Sequence, residues 1–334
     1  MASTQDLFAA IRNRECVLFL GAGVHYPPPE NSSYAYPPDH RPPLGASFSR
    51  QLADECIAGL EAGSGGDAPD LTGLTDAQRV RCELERTIRE EQREKERAYL
   101  RQHRENLQRT SWYYELHHER GNLINKITDA VETGREPSPI VRALAEMDFP
   151  IVITTNYDRL FEKALRKLDQ PKEPVIRIYD PKGQQCTKDF PRSPNPQAPW
   201  LFKMHGCVSD PNSIVVTDED YILFVMRTGD SQEYHPVPEK VRVKFKEWPT
   251  LFVGYSLLDY NLRLLFRTLR RRVDLCERPA TFSLDPFPDL LISATYGSRV
   301  EQGAAGSLVS FIEQDSWKFV PELYKQIFGR PMPA

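Results

Sequence analysis

Residues 16–23 read CVLFLGAG, five apolar side chains running straight into a Gly-Ala-Gly turn. A continuously apolar run of this length suits a strand buried on both faces, as in a parallel sheet, rather than an alternating edge strand. The turn that ends it lets backbone N–H groups approach a phosphate closely. An ordinary tight turn accounts for Gly21, Ala22 and Gly23 equally well, because G-x-G-x-x-G is broken by Tyr26 and no Walker A lysine is present.

Outward from this strand the pattern is helix, strand, helix. Thr4 to Arg14 places Leu7, Phe8 and Ile11 on one face behind a Ser3 cap. Val24 to Pro43 is too proline-rich for regular structure and reads as a long loop beside the glycines. Ala46 to Leu60 is amphipathic, residues 61–73 read as a linker, and Thr75 to Glu132 reads as helical throughout. Its first part, including EEQREKER at 90–97, alternates in sign and suits a solvated helix held by i,i+4 pairs better than a nucleic-acid surface. Residues 61–135 are therefore expected to be a helical insertion. After Pro137 the sequence predicts strands at 150–154, 175–179, 200–204, 214–217, 250–253 and 280–284. Helices are expected at 140–147, 157–168, 218–226, 237–248, 259–276, 304–313 and 321–328. Strands separated by helices require right-handed crossovers. The fold class is α/β, a doubly wound Rossmann-like parallel sheet with a helical insertion, in a single domain of 334 residues.

Bulk composition narrows the function classes. Lys and Arg number 43 against 47 Asp and Glu, a net charge of -4, so no overall positive field attracts nucleic acid or anionic lipid. The N-terminus lacks a basic region and carries Asp6, so no signal peptide is expected. No apolar run approaches membrane-spanning length and mean hydropathy is -0.53, which predicts a cytoplasmic protein. The six cysteines include no C-x-x-C pair, so neither a zinc site nor a disulfide framework is indicated. No carboxylate cluster with metal-ligand spacing stands out.

Chemistry is expected where four strands end in small or polar residues: Gly21 to Val24, Thr154 to Asp158, His205-Gly206 and Gly254 to Asp259. In a doubly wound sheet, ligands sit beyond the carboxyl ends of the strands. Each feature has a plain structural reading. Asn156 suits a helix cap, Asp158 complements a helix dipole, and His205 fits an ordinary core histidine. Coincidence at four strand ends favours a site. Cys207, beside His205, lacks a base and orienter of its own and reads as a structural thiol.

The segments GAGV at 21–24, PPLG at 42–45, TTNYDRLFEKAL at 154–165, LFKMHGCVSDPNSIVVTDEDY at 201–221 and LFVGYSLLDYNLRLLF at 251–266 together resemble the sirtuin-like NAD-hydrolysing domains of bacterial anti-phage defence systems. The resemblance spans nearly the whole chain outside the helical segment. It implies NAD+ as substrate, Asn156 and His205 as the catalytic pair, and pyrophosphate contacts from Gly21, Ala22, Gly23 and Val24. It further implies nicotinamide-ribose contacts from Thr155 and Asp158, and adenosine contacts from Gly254, Ser256 and Asp259. His25 stands where relatives usually carry serine, which sets phosphate contacts around it apart from the pattern. The paired zinc cysteines and the G-I-P-D-F-R segment of protein-deacylating sirtuins are absent, so no zinc is implied and an acetyl-lysine substrate is disfavoured. A deacylase and a non-catalytic NAD or ADP-ribose sensor remain the alternatives. The resemblance also implies a homo-oligomer and a protein partner in trans, a HerA-family ATPase or a short Argonaute-type protein.

Overall fold

A computed structural model describes residues 3–62, 72, 75–181, 189–190, 193–229, 235–255, 257, 279–297 and 309–333. These fall into two compact units, one drawn from Met1–Leu44, Ile124–Val215 and Glu219–Ala334, the other from Gly45–Leu123 with Val216–Asp218.

The first unit is built on a seven-stranded sheet. Its strands are β1 (Val17–Leu20), β2 (Ile151–Thr154), β3 (Val175–Ile178), β4 (Trp200–Lys203), β5 (Thr250–Val253), β6 (Thr281–Leu284) and β7 (Ser310–Ile312), in the order β3-β4-β2-β1-β5-β6-β7. Every pairing is parallel. Period-2 alternation sorts the strand side chains into two cores. Leu18, Leu20, Val152, Leu201, Leu251 and Val253 face one layer, which includes Leu7, Ile11, Leu144 and Leu323. Val17, Phe19, Ile151, Ile153, Phe202 and Phe252 face the other, with Phe224, Phe245 and Ile292. Each such side chain taken wholly out of water contributes roughly 1.5–3 kcal/mol. That explains why β1, β2 and β4 carry no polar residue before their last position.

The helices covering this sheet are α1 (Thr4–Arg12), α5 (Pro139–Glu146), α6 (Leu160–Arg166), α7 (Asp218–Gly229), α8 (Glu239–Glu247), α9 (Leu290–Tyr296) and α10 (Ser316–Phe328). Caps fix several of their starts. Ser3 and Asp6 close a capping box on α1, Ser138 Oγ accepts from Val141 N at 3.1 Å, and Asp315 Oδ1 accepts from Lys318 N at 2.9 Å. Helix α10 ends on Gly329 at φ 69°.

The second unit is helical: α2 (Gly45–Ala62), α3 (Asp76–Gln102) and the first half of α4 (Leu107–Val131). Asp54 accepts both a 2.8 Å and a 2.6 Å bond from Arg104, and Ser49 Oγ donates to Thr110 Oγ1 at 3.0 Å, so α2 is tied to the turn between α3 and α4.

The fold departs from the expected elements in four places, one of them helix α9 (Leu290–Tyr296), where no element was expected. The continuous helix over 75–132 breaks at His103–Asn106, where Asn106 N donates to His103 O and Asn106 Oδ1 accepts from Arg109 N, and α4 kinks again at Glu119 (φ 62°). Residues 214–217 are not a strand. Val215 donates to the His205 carbonyl and accepts from Tyr157 Oη, which binds the segment to the loop after β4 and not to a ladder. The helix expected over 304–313 instead ends in β7, whose three residues extend the sheet beside β6. Residues 304–308 and the expected helix 259–276 lie outside the described residues.

Candidate functional site

After β1 the chain adds β2 beside it, then β3 with β4 inserted between them, all on one side, and resumes on the other side at β5. The direction of winding thus reverses at β1 and β5, where an open α/β sheet leaves a crevice at its carboxyl edge. Gly21 begins the turn after β1, and Gly254 follows β5. An ideal Cβ on Gly21 or Gly23 would lie 2.4 or 2.8 Å from the Gly254 carbonyl oxygen, and one on Gly254 (φ +66°) only 2.1 Å from Val24 N. Gly21 N donates to Val253 O at 3.0 Å and Gly23 N to Gly254 O at 2.7 Å. The sequence read these glycines as room for a phosphate. The structure gives them a prior task, joining two strand ends backbone to backbone, and two of their N–H groups are spent on it.

A cleft of about 710 Å³ opens beside this junction, a volume within the usual range for small-molecule and cofactor sites. Ala22, Gly23, Gly254 and Tyr255 form its floor, with Asp285 after β6 and Trp317 at the start of α10 on its walls. The proline run contributes Tyr26 to Pro29 to the rim, and Trp317 Nε1 donates to the Tyr26 carbonyl at 3.2 Å, fixing loop to helix. Asp285 and Trp317 escaped the sequence reading. Asp285 had a signal, being the polar residue that ends a strand as the other four ends do; Trp317 had none. Val24 contributes its side chain to the core and not to the cleft. Among the described residues, neither Asn156 nor His205 lines this cleft.

Asn156 and His205 stand on neighbouring strands. Thr154 is the register partner of Lys203, so each of the two residues lies two positions past a paired strand end, on the same edge of the sheet. Met204 N donates to Thr154 O at 2.8 Å and extends the pairing one residue further. Asn156 N donates to Thr154 Oγ1 at 3.0 Å, and Asn156 Nδ2 donates to the Gly21 carbonyl at 3.3 Å. Its amide oxygen is the atom left to accept from a hydroxyl or a water. Thr155 N donates to Leu20 O at 3.3 Å, so this loop is stitched to the end of β1 as well.

His205 is 5% exposed. Tyr221 and Phe224 of α7 meet its ring edge to face, with centroids at 5.0 and 5.4 Å, and the Tyr221 hydroxyl lies 3.4 Å from Nδ1. The glycine after it is explained by a backbone contact. Gly206 has φ +90°, and a Cβ there would come within 2.2 Å of Ser213 O. Cys207 N donates to Ser213 Oγ at 2.9 Å, closing the loop back beneath the histidine. Cys207 itself is buried, with its Sγ 3.2 Å from Ser209 Oγ.

Asp158 faces inward. Its Oδ1 accepts from Leu160 N at 2.9 Å at the start of α6, and its Oδ2 lies 3.3 Å from His25 Nε2. Burial opposes its ionisation, but His25, Lys203 and the Leu160 N–H together hold the carboxyl below the usual range. Lys203 is likewise penalised by burial, and Glu162 first among its neighbours holds the ammonium above its ordinary range. His25, Thr154, Asn156, Asp158 and Lys203 border a cavity of about 10 Å³, room for one water at most. Ser256 and Asp259 lie outside the described residues. Among the described residues no group of three or more His, Cys, Asp or Glu could hold a metal ion, and no helix is long and apolar enough to cross a membrane.

Comparison with known proteins agrees with this layout. Residues 150–302 match the SIR2-like domain family. The chain is 27% identical over 164 residues to the NAD(+) hydrolase ThsA of Acinetobacter baumannii, covering 48% of this chain and 30% of that protein. A ThsA of Enterococcus faecium is 29% identical over 160 residues, with the same coverages. Defense-associated sirtuin 2 of Bacillus subtilis is 23% identical over 197 residues, 57% of this chain and 18% of the relative. The matches thus span less than a third of the length of these relatives. A parallel sheet wound both ways from β1, glycine-joined strand ends at the reversal, and the matched segment beginning at β2 point the same way: residues 150–302 of this chain are similar to the SIR2-like domain family.

Proposed function

We propose that the protein hydrolyses NAD+ at the bond between nicotinamide and ribose, giving nicotinamide and ADP-ribose, and acts as an anti-phage effector that depletes NAD. The observation that carries this reading is the common register of Asn156 and His205 beyond β2 and β4, beside the glycine junction. The names of the relatives, NAD(+) hydrolase and defence-associated sirtuin, support it.

The chemistry asks little of the protein. Nicotinamide departs as a neutral base, taking the electron pair of the C–N bond onto its cationic ring nitrogen, so no general acid is needed. The ribose carbon passes through an oxocarbenium-like state, and a water oxygen forms the new bond. In this reading the Asn156 amide oxygen orients the ribose or the water, and His205 takes the proton that the water loses. The cleft at Ala22, Gly23 and Gly254 would take the adenosine side, with Asp285 accepting from ribose hydroxyls and Trp317 offering an aromatic face. Thr155 and Asp158 belong to the nicotinamide-ribose loop, the latter through its neighbours. In this proposal the helical segment 61–135 is an insertion that supports self-association. A partner in trans, a HerA-family ATPase or a short Argonaute-type protein, restrains the activity.

The test is direct. Purified protein incubated with NAD+, alone and with its genomic neighbour, is assayed for nicotinamide and ADP-ribose. Folded His205→Ala should lose about 10²- to 10⁴-fold in rate, the range of a well-placed general base. Parent-level nicotinamide release from His205→Ala would overturn the assignment, and tight NAD+ binding without product over hours would favour a sensor.

A further inference from the structure

Among the ionisable side chains of the α/β unit that are almost wholly out of water, His25, Asp158, Glu162 and Lys203 are 4, 6, 2 and 1% exposed. They lie in sequence along one path. The Tyr36 hydroxyl is 3.4 Å from His25 Nδ1, and His25 Nε2 is 3.3 Å from Asp158 Oδ2. Lys203 Nζ donates to the Asp158 carbonyl and sits 3.2 Å from Glu162 Oε1. Each member belongs to a different part of the candidate site. His25 ends the turn that begins at Gly21, Asp158 follows Asn156 by two residues, Lys203 precedes His205 by two, and Glu162 is on α6.

Stability does not explain such an arrangement. Desolvating charged groups is unfavourable, and well-packed apolar residues of similar volume generally hold a core as well or better. Glu162 Oε2 and His25 Nε2 are even left buried without a well-aligned hydrogen bond, the latter in contact with Asp158 Oδ2 at 3.3 Å. What opposite charges in a low-dielectric interior do supply is a single favourable alignment, since any slip separates a pair that water cannot re-solvate. Leu20, Val24, Val141 and Phe161 border the space around the pair His25–Asp158 and limit water's access to it.

We propose that His25, Asp158, Lys203 and Glu162 form a buried polar chain that locks the glycine turn, the Asn156 loop and the His205 strand end into one register. His25 and Lys203 act as positioning residues for Asn156 and His205. The effect on turnover rests on the NAD+ hydrolase reading; the mechanical coupling does not.

The parent is compared with His25→Ala, His25→Gln and the paired change Lys203→Met with Glu162→Leu, which removes two opposite charges together. Amide exchange is followed by peptide, alongside kcat, KM and Tm. His25→Ala should speed exchange at least tenfold both in residues 155–158 and in residues 204–206, although it lies in neither, and leave 281–284 unchanged. Its kcat should fall roughly 10- to 100-fold, the penalty of a small misplacement of reacting groups, with KM within about threefold. His25→Gln, whose amide can meet Asp158 as a donor, should recover to within about threefold of the parent. The paired variant should keep its Tm within a few degrees and still lose kcat. Faster exchange confined to 22–26, a uniform rise across the sheet, or parent kcat in the folded paired variant would overturn the polar chain. If the parent releases no nicotinamide, the hydrolase reading fails and the exchange comparison alone decides the chain.

Discussion

Asn156 reaches across from the end of β2 to donate its side-chain amide to the carbonyl of Gly21, the first residue after β1, at 3.3 Å. The bond fixes which end of the amide is free, leaving the oxygen to accept from a substrate hydroxyl or water. Asn156→Ala should therefore lose at least about 100-fold in nicotinamide release through lost positioning. Asn156→Asp should do worse, because a carboxylate oxygen would then face the Gly21 carbonyl oxygen and repel it. Rate and Tm measured together check this: Asn156→Asp as active as the parent would sink the role given to the amide.

His205 is held by an aromatic wall as much as by hydrogen bonding. Removing the Tyr221 hydroxyl leaves the edge-to-face contact at 5.0 Å intact and deletes the polar contact to Nδ1 at 3.4 Å. A neutral hydrogen bond is worth about 1 kcal/mol net, so Tyr221→Phe should reduce kcat by about fivefold and leave Tm within a degree or two. Tyr221→Ala removes the wall itself and should cost far more. Equal kcat in both variants would show that α7 does not orient the imidazole.

Two glycines combine a left-handed backbone with no room for a side chain. Gly254 at φ +66° and Gly206 at φ +90° both sit in the left-handed region, and a Cβ at either would collide with backbone at 2.1 or 2.2 Å. Backbone strain alone costs roughly 1–3 kcal/mol, before any clash is relieved. Gly254→Ala and Gly206→Ala should each lower Tm by several degrees. Gly59, where an added Cβ would meet nothing within 4 Å, is the internal control: Gly59→Ala, inside α2, should be neutral or slightly stabilising. Unchanged Tm in Gly254→Ala would refute the tight junction of β1 and β5.

Six of the seven strands were legible because most are nearly pure apolar runs ended by glycine or polar residues, the pattern of burial on both faces. Strand ends were equally legible, and with them the positions of Asn156 and His205 two residues beyond β2 and β4. The glycines were visible but their first task was not, since a turn that serves a phosphate and one that serves a neighbouring backbone are spelled alike. Segment 214–217 was misread because VV-T has strand composition, while its hydrogen bonds go to His205 and Tyr157, a choice set by the loop geometry after Gly206. Lys203 was the overlooked signal. A lysine inside LFKM, in a strand otherwise free of charge, had to find a buried carboxylate, and it found Glu162.

His235 gives the fold a dependence on acid. Burial, and then the nearby Arg242 charge, push its imidazole down to about 4, while Val237 N donates to Nδ1 at 3.1 Å. In the unfolded chain the same imidazole binds its proton at the ordinary value near 6.5. Between those two values the unfolded state holds more protons than the folded one, so stability is fully present above about pH 6.5 and declines as pH falls toward 4. Asp158, held below its usual range, acts in the same direction but only in stronger acid, as its carboxyl becomes protonated. His235→Asn can still accept from Val237 N and cannot titrate, so it should flatten the fall in Tm between pH 6.5 and 4 while leaving Tm at pH 7.5 within a few degrees. A parent whose Tm is level across that window, or a variant whose Tm falls as steeply, would remove His235 as the source of the acid sensitivity.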